Sequence, residues 1–318
     1  MIRRPASTML ENESITLSDG RTLSFAIYGS PVPRTTVMYM HGFPSSRFEG
    51  KLWHSAAAKQ GVRLIAPDRP GSGFSTFQKR RRMLDWPADI TALADQLKIN
   101  EFYVLGVSGG GPYALACVKS IPTERLLGAT VASGLYPLKL GAAGMMLPTR
   151  ILFWAAPWMT GLTSFFFDNS MGKAARHKDP KILEDLMKKE PFERHPGDVK
   201  AIKDPTNWPI FVAMTRGSFA QSGEGAAWEA RLNGSDWGFE LSQLSVGNNG
   251  IPLNLWHGTK DMNVPVGMAT TAEGMMPGSV LHLKEGDGHM DYVFRDAEEI
   301  LTELMGKQES EEYVKVSG

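Results

Sequence analysis

The 318-residue sequence predicts an α/β fold: a mostly parallel sheet of eight strands flanked by helices, with a helical insertion after the sixth strand. Three observations predict it. Short apolar runs alternate with helix-forming stretches as far as Ala132, the pattern of a parallel sheet buried on both faces. The alternation lapses between Ser133 and Gly250 and resumes at Pro252. Finally, Gly106-Val107-Ser108-Gly109-Gly110 lies between an apolar strand and a helix-forming run, the context in which G-x-S-x-G marks a sharp turn that presents a serine.

Asp19-Gly20 separates the strand-like runs Ser14–Leu17 and Thr22–Ile27, which reads as a hairpin closed by a tight turn. A buried strand Thr36–Met40 precedes a helix near Phe48–Gln60. The strand Val62–Ala66 precedes an amphipathic helix from Asp85 to Leu97. Phe102–Leu105 is the strand that feeds the serine turn, Pro112–Val118 begins the helix after it, and Leu126–Ala132 is the sixth strand. In the insertion, the stretch 142–167 carries Met145, Met146, Leu147, Phe153, Trp154, Trp158, Phe165, Phe166 and Phe167 among its large apolar side chains, with Arg150 its only charge. Helical runs at Pro180–Glu190 and Trp208–Trp228 follow. The strand Pro252–Trp256, a helix over Val264–Met276, the strand Ser279–Leu283 and a helix over Asp296–Met305 complete the pattern. The expected organisation is a core over 1–135 and 251–306, a helical lid over 136–250, and a flexible tail over 307–318. An insertion at that point lies above the strand ends, where open α/β sheets bind ligands.

Composition excludes several function classes. An apolar fraction of 42% supplies a real core, and 34 basic residues balance 34 acidic ones, so charge offers no case for nucleic acid. A single cysteine, Cys117, forms no intrachain disulfide and fits a reducing compartment. Met1–Pro5 has two arginines but no apolar segment behind them, so a secretory signal is not expected and a cytoplasmic location is. The uncharged run from Ile151 to Phe167 contains Pro157 and is shorter than the ~20 residues a membrane span needs. That leaves no transmembrane segment but allows peripheral membrane contact through the lid.

Serine is a weak nucleophile that needs a base, and the base needs an orienting acid. His289, in Glu285-Gly286-Asp287-Gly288-His289, follows the last strand and is the candidate base. Asp261, in His257-Gly258-Thr259-Lys260-Asp261-Met262-Asn263-Val264-Pro265, lies between a strand and a helix and is the candidate acid. It is favoured over Asp287 and Asp291, which are too near His289 in sequence to reach its ring well.

Taken jointly, His41-Gly42-Phe43-Pro44, Asp68-Arg69-Pro70-Gly71-Ser72-Gly73, the serine turn, the acid loop and Gly288-His289 resemble the α/β-hydrolase superfamily, in its lid-bearing esterase and epoxide-hydrolase-like group. The resemblance covers about residues 12–135 and 250–306 and implies the α/β-hydrolase fold. It also implies an oxyanion hole made by the backbone N–H groups of Phe43 and Gly109. One departure matters: epoxide hydrolases and haloalkane dehalogenases carry aspartate where this chain has Ser108, and a serine cannot form their alkyl-ester intermediate.

Other residues read as structural. His41 shapes the turn after the third strand, and Asp68 caps a turn. His54, His257 and His282 are packed or surface side chains. No histidine pair has ligand spacing, so neither a metal nor a cofactor is expected. Lys79-Arg80-Arg81-Arg82 is a solvated loop, or a site for an anionic substrate tail or partner. Met145, Trp154 and Trp158 are expected to line an apolar substrate pocket beneath the lid. The function expected is a serine hydrolase cleaving an ester or thioester of a small, largely apolar metabolite. A C–C bond hydrolase or acyltransferase on the same three residues, or a small-molecule receptor on the same scaffold, are the alternatives. Composition and motifs leave the oligomeric state open.

Overall fold

The protein is described from a computed structural model over residues 9–189 and 194–306. The expected tail 307–318, the arginines near the N-terminus and the end of the Pro180–Glu190 run lie outside the described residues. Among the described residues, eight strands form one sheet: β1 (Leu10–Thr16), β2 (Thr22–Gly29), β3 (Thr35–Met40), β4 (Val62–Pro67), β5 (Phe102–Val107), β6 (Leu126–Ala132), β7 (Leu253–Gly258) and β8 (Val280–Lys284). Their order is β1-β2-β4-β3-β5-β6-β7-β8. β2 pairs antiparallel with β1 and with β4, and every other pairing is parallel. Gly20, at φ +86°, closes the β1–β2 turn as the Asp-Gly pair predicts.

Helices α1 (His54–Lys59), α2 (Trp86–Gln96) and α3 (Gly111–Ser120) connect the first six strands. The insertion then supplies α4 (Leu147–Phe167), a short α5 (Lys173–Ala175), α6 (Lys181–Lys188), α7 (Pro196–Lys203), α8 (Trp208–Ser218) and α9 (Glu224–Gly234). After the insertion come α10 (Val266–Met275), α11 (Asp291–Arg295) and α12 (Ala297–Met305). One face of the sheet packs on Ile90, Leu93, Leu115 and Met268, the other on Ala57, Ile300, Leu301 and Leu304. Phe153, Ala156 and Ala230 of the insertion belong to the first of these cores, which welds the insertion to the sheet, while Ala174, Ala175, Leu183, Val212, Phe219 and Ala226 form a smaller buried cluster within the insertion itself.

Some boundaries differ from expectation for local reasons. The stretch expected as one helix over Phe48–Gln60 is a tight 3₁₀ segment, Arg47–Trp53, followed by α1. Gly50 there packs so closely that an added Cβ would sit 2.9 Å from Ala66 Cβ. The run Trp208–Trp228 is broken into α8 and α9, with Gly223 between them against Ser164 and Phe167. α4 is kinked: Met159 leaves helical geometry (φ −125°, ψ 36°) just after Pro157, whose ring and missing N–H disrupt the ladder.

Candidate active site

β5 ends at the mouth of the sheet and the chain turns at once into α3. Ser108 sits at the apex with φ +53°, a left-handed conformation that a non-glycine residue adopts only when its surroundings impose it. The glycines around it are required by contact. An added Cβ on Gly106 would lie 2.6 Å from Gly110 O, and one on Gly110 would lie 2.0 Å from Met40 O. One on Gly109 would lie 2.5 Å from Phe43 Cβ and 3.1 Å from Phe43 N. Only glycine lets the serine turn approach the His41–Pro44 turn this closely.

The loop after β8 brings His289 over the serine, with Nε2 2.9 Å from Ser108 Oγ. Its Nδ1–H donates to Asp261 Oδ2 at 2.7 Å, which leaves Nε2 free to accept from the hydroxyl. The other oxygen of Asp261 accepts from the backbone N–H groups of Asn263 (2.8 Å) and Val264 (2.9 Å), so the carboxylate is held from both sides. His257, fully buried, donates from Nε2 to Val264 O and stands 3.3 Å from Asp261 Oδ2. Burial alone would raise the Asp261 pKa, but the charge of His289 and hydrogen bonds from His257 and His289 outweigh it and hold the carboxyl well below its ordinary range. Burial likewise pushes His289 down, and the charge and hydrogen bond of Asp261, followed by the charge of Asp198, bring it to a net rise. Asp287 turns instead to Arg295, and Asp291 binds the N–H groups of Gly288 and Tyr292 and the ring of His195, so neither contacts the His289 ring.

The turn after β3 is braced from beneath. Glu49, buried, accepts from Gly42 N with both oxygens at 3.0 Å and from Tyr39 Oη at 2.6 Å, and burial pushes its carboxyl upward. Arg69 donates to the carbonyls of His41 and Gly42, each at 2.6 Å, and pairs twice with Glu229 of α9, at 2.9 and 2.8 Å. His41 is buried, and burial followed by the charge of Arg69 pushes its pKa well below the ordinary value. The neutral ring donates from Nδ1 to Gly42 O. Asp68 does more than cap a turn: it binds Arg47 through its backbone N–H and its guanidinium, both at 2.7 Å, and accepts from Ser24 Oγ.

Met145, Trp154 and Trp158 do not share one environment. Met145 is buried in the main core, whereas Trp154 and Trp158 stand 71% and 84% exposed on the outer face of α4. The expectation that the two tryptophans line a pocket is therefore corrected. Helical rotation places Phe153 inward, with its ring 5.7 Å from that of Phe43, and Phe167 reaches the same ring at 6.4 Å. The aromatic stretch reaches Phe43 through these residues instead.

Several supporting residues escaped sequence reasoning because their partners are distant in the chain. Asp198 of α7 accepts from three successive N–H groups, His289 (3.0 Å), Met290 (2.6 Å) and Asp291 (3.2 Å). Ser133 Oγ donates to His289 O at 2.7 Å, and Tyr292 Oη ties Trp256 O to Ser133. His195, Asp198 and Asp291 gather potential ligand atoms within 4.8 Å of one another, a grouping that the search for ligand spacing did not anticipate. Both Asp198 oxygens and Asp291 Oδ1 accept from N–H groups of the His289 loop, so the cluster serves as a clasp for that loop.

A family model for the alpha/beta hydrolase family matches residues 37–303. The chain belongs to this family. An uncharacterised hydrolase of Bacillus subtilis, YcgS, is 24% identical to this α/β hydrolase over 310 residues, covering 94% of the chain and 98% of the relative. A proline iminopeptidase of Lactobacillus helveticus is 24% identical over 284 residues, covering 85% of this hydrolase and 88% of that protein. Among solved structures, an esterase from Exiguobacterium antarcticum superposes with a TM-score of 0.62 at 18% identity, covering 93% of this chain and all of its own. At that identity the esterase attests the hydrolase fold.

Proposed function

We propose that this α/β hydrolase is a serine hydrolase that cleaves an ester or thioester of a small, largely apolar substrate through an acyl-enzyme. The observation that carries the reading is the relay Ser108 Oγ–His289 Nε2 (2.9 Å) and His289 Nδ1–Asp261 Oδ2 (2.7 Å). In the first step His289 Nε2 takes the proton of Ser108 as Oγ attacks the carbonyl carbon. The developing oxyanion lies between the backbone N–H groups of Phe43 and Gly109. Donors of this kind are each worth about 3 kcal/mol to the transition state. His289 then protonates the departing alkoxide or thiolate, and a water deprotonated by the same nitrogen releases the acid. The apolar rings of Phe43, Phe153 and Phe167 support an apolar acyl or alcohol part. The insertion that carries Phe153 and Phe167 acts as the lid over the serine.

The iminopeptidase likeness makes an N-terminal prolyl amide the second substrate to try. Wild-type protein should react with a fluorophosphonate probe and turn over p-nitrophenyl esters faster than proline p-nitroanilide. Ser108→Ala should lose both labelling and turnover at unchanged Tm, because alanine fits the turn and lacks only the hydroxyl. Labelling that persists in Ser108→Ala would place the nucleophile elsewhere.

A further inference from the structure

We propose that the outer face of α4, together with the arginine-lined cavity beside it, docks on an anionic lipid surface. Leu147, Ile151, Trp154 and Trp158 recur at three- and four-residue spacing before the kink at Met159, and Leu162 and Phe165 are spaced by three after it, so each group shares one side of its half of α4, and all are exposed. Met159 and Phe166 widen the exposed face. Exposed apolar surface of this extent marks an interaction site rather than scattered surface residues. Its inward neighbours, Phe153 and Ala156, are buried, so the helix is already seated and the exposed side chains are left over from packing.

Charge identifies the occupant. α4 contains no acidic residue and one basic residue, Arg150. Next to it is a cavity of about 250 Å³ lined by Arg80, Arg81, Arg82 and Arg231 around Trp228. Buried Arg81 stands 3.8 Å from Glu229 and Arg82 pairs with Asp85 at 3.0 Å, while among the described residues no carboxylate lines the cavity itself. The two features are contiguous: Arg231 donates to Pro157 O at 2.7 Å and to Thr160 Oγ1 at 3.3 Å, on the same stretch of α4 as Trp158. A chain with no net charge thus places a group of cations at the edge of its most apolar exposed face. The complementary partner carries dense negative charge and an apolar layer that accepts tryptophan and phenylalanine rings. An anionic bilayer offers both, with phosphates at the arginines and the acyl boundary at the aromatic rings. A second copy of the chain would present the same cations and no acid from α4. The contact lies in the membrane plane, because among the described residues no helix is long and apolar enough to cross a membrane.

The experiment is flotation of the full chain with phosphatidylcholine vesicles, with and without phosphatidylserine, read alongside tryptophan emission. Binding and a blue shift are expected with phosphatidylserine only, and should weaken as salt shortens the screening length from about 10 Å at 0.1 M to about 3 Å at 1 M. The double variant Arg80→Gln/Arg82→Gln should bind about fivefold more weakly for each arginine removed. Trp158→Ser combined with Phe165→Ser should abolish binding. Fluorophosphonate labelling of Ser108 in solution should be unchanged in both variants, which separates this surface from the proposed reaction and shows that the variants fold. Absence of binding to either vesicle, equal binding to both, or a concentration-dependent dimer that Trp158→Ser/Phe165→Ser disperses would each overturn the proposal. The last outcome would make the face a self-interface.

Discussion

His289 is the residue at which structure and pH meet. Burial disfavours its charged form, yet Asp261 and, from the insertion, Asp198 raise its pKa above the ordinary histidine value near 6.5. As the proposed base it is neutral only above that raised pKa, so kcat/KM is expected to fall as pH drops through a midpoint higher than 6.5. Stability runs the other way. The pairing of imidazolium with Asp261 is fully present below the unfolded pKa and is lost as pH rises through the raised folded one. Asp261→Asn and Asp198→Asn each remove one upward influence and should move the acid midpoint of a pH–rate profile down. Asp261→Asn should also cost roughly 10⁴ in kcat by favouring the wrong tautomer. Asp198→Asn, which loosens the loop without touching the ring, should cost about 10² or less. An unmoved midpoint in both variants would remove His289 from the rate-determining proton transfer. Ser108, Asp261 and His289 were all legible as candidates from chain order and local motif. Asp198 was not, because an aspartate in a charged helical stretch looks like a solvated one until the fold brings three N–H groups to it.

At the scale of elements, α4 shows where sequence pattern stops. Composition marks the stretch as too apolar to be wholly exposed, and most of it forms α4, Leu147–Phe167. Which side faces in depends on a rotation of the helix that its aromatic residues, present on both faces, do not specify. Phe153 and Phe167 turn toward Phe43, and the tryptophans turn out. The expected consequence is that kcat/KM rises along p-nitrophenyl esters of increasing acyl length, by up to about 1 kcal/mol per methylene while space remains. Phe153→Ala should flatten that series, whereas Trp154→Ala should leave its slope intact. A slope that responds to Trp154 and not to Phe153 would reverse the assignment of the two faces. The serine turn is the opposite case: its glycines were required on paper, and contacts of 2.0–2.6 Å to any added Cβ say why.

Over the whole molecule, the insertion is tied to the core by buried polar contacts as well as apolar ones. Asp198 holds the histidine loop on one side, and Glu229 holds Arg69, which in turn binds the carbonyls of the His41–Gly42 turn, on the other. Both parts of the candidate site therefore depend on residues from a segment that interrupts the sheet. Glu229→Gln leaves Arg69 buried with its charge uncompensated, a change expected to cost about 3–5 kcal/mol. Thermal unfolding should show it as a drop in Tm on the order of 10 °C. A loss of less than about 1 kcal/mol would mean that water already reaches the pair.

The eight strands, their alternation with helices, the serine turn and the order serine, acid, histidine were set by the sequence itself, because each is local. Apolar periodicity, glycine at positions without room for a Cβ, and strand-to-helix junctions are all written within a few consecutive residues. The strand order, the inward face of α4, the Arg69–Glu229 and Arg47–Asp68 pairs and the clasp of Asp198 on the histidine loop were decided only by the tertiary structure. Those partners stand 21 to 160 residues or so apart, and a buried charge finds its counterpart by burial and geometry rather than by spacing along the chain.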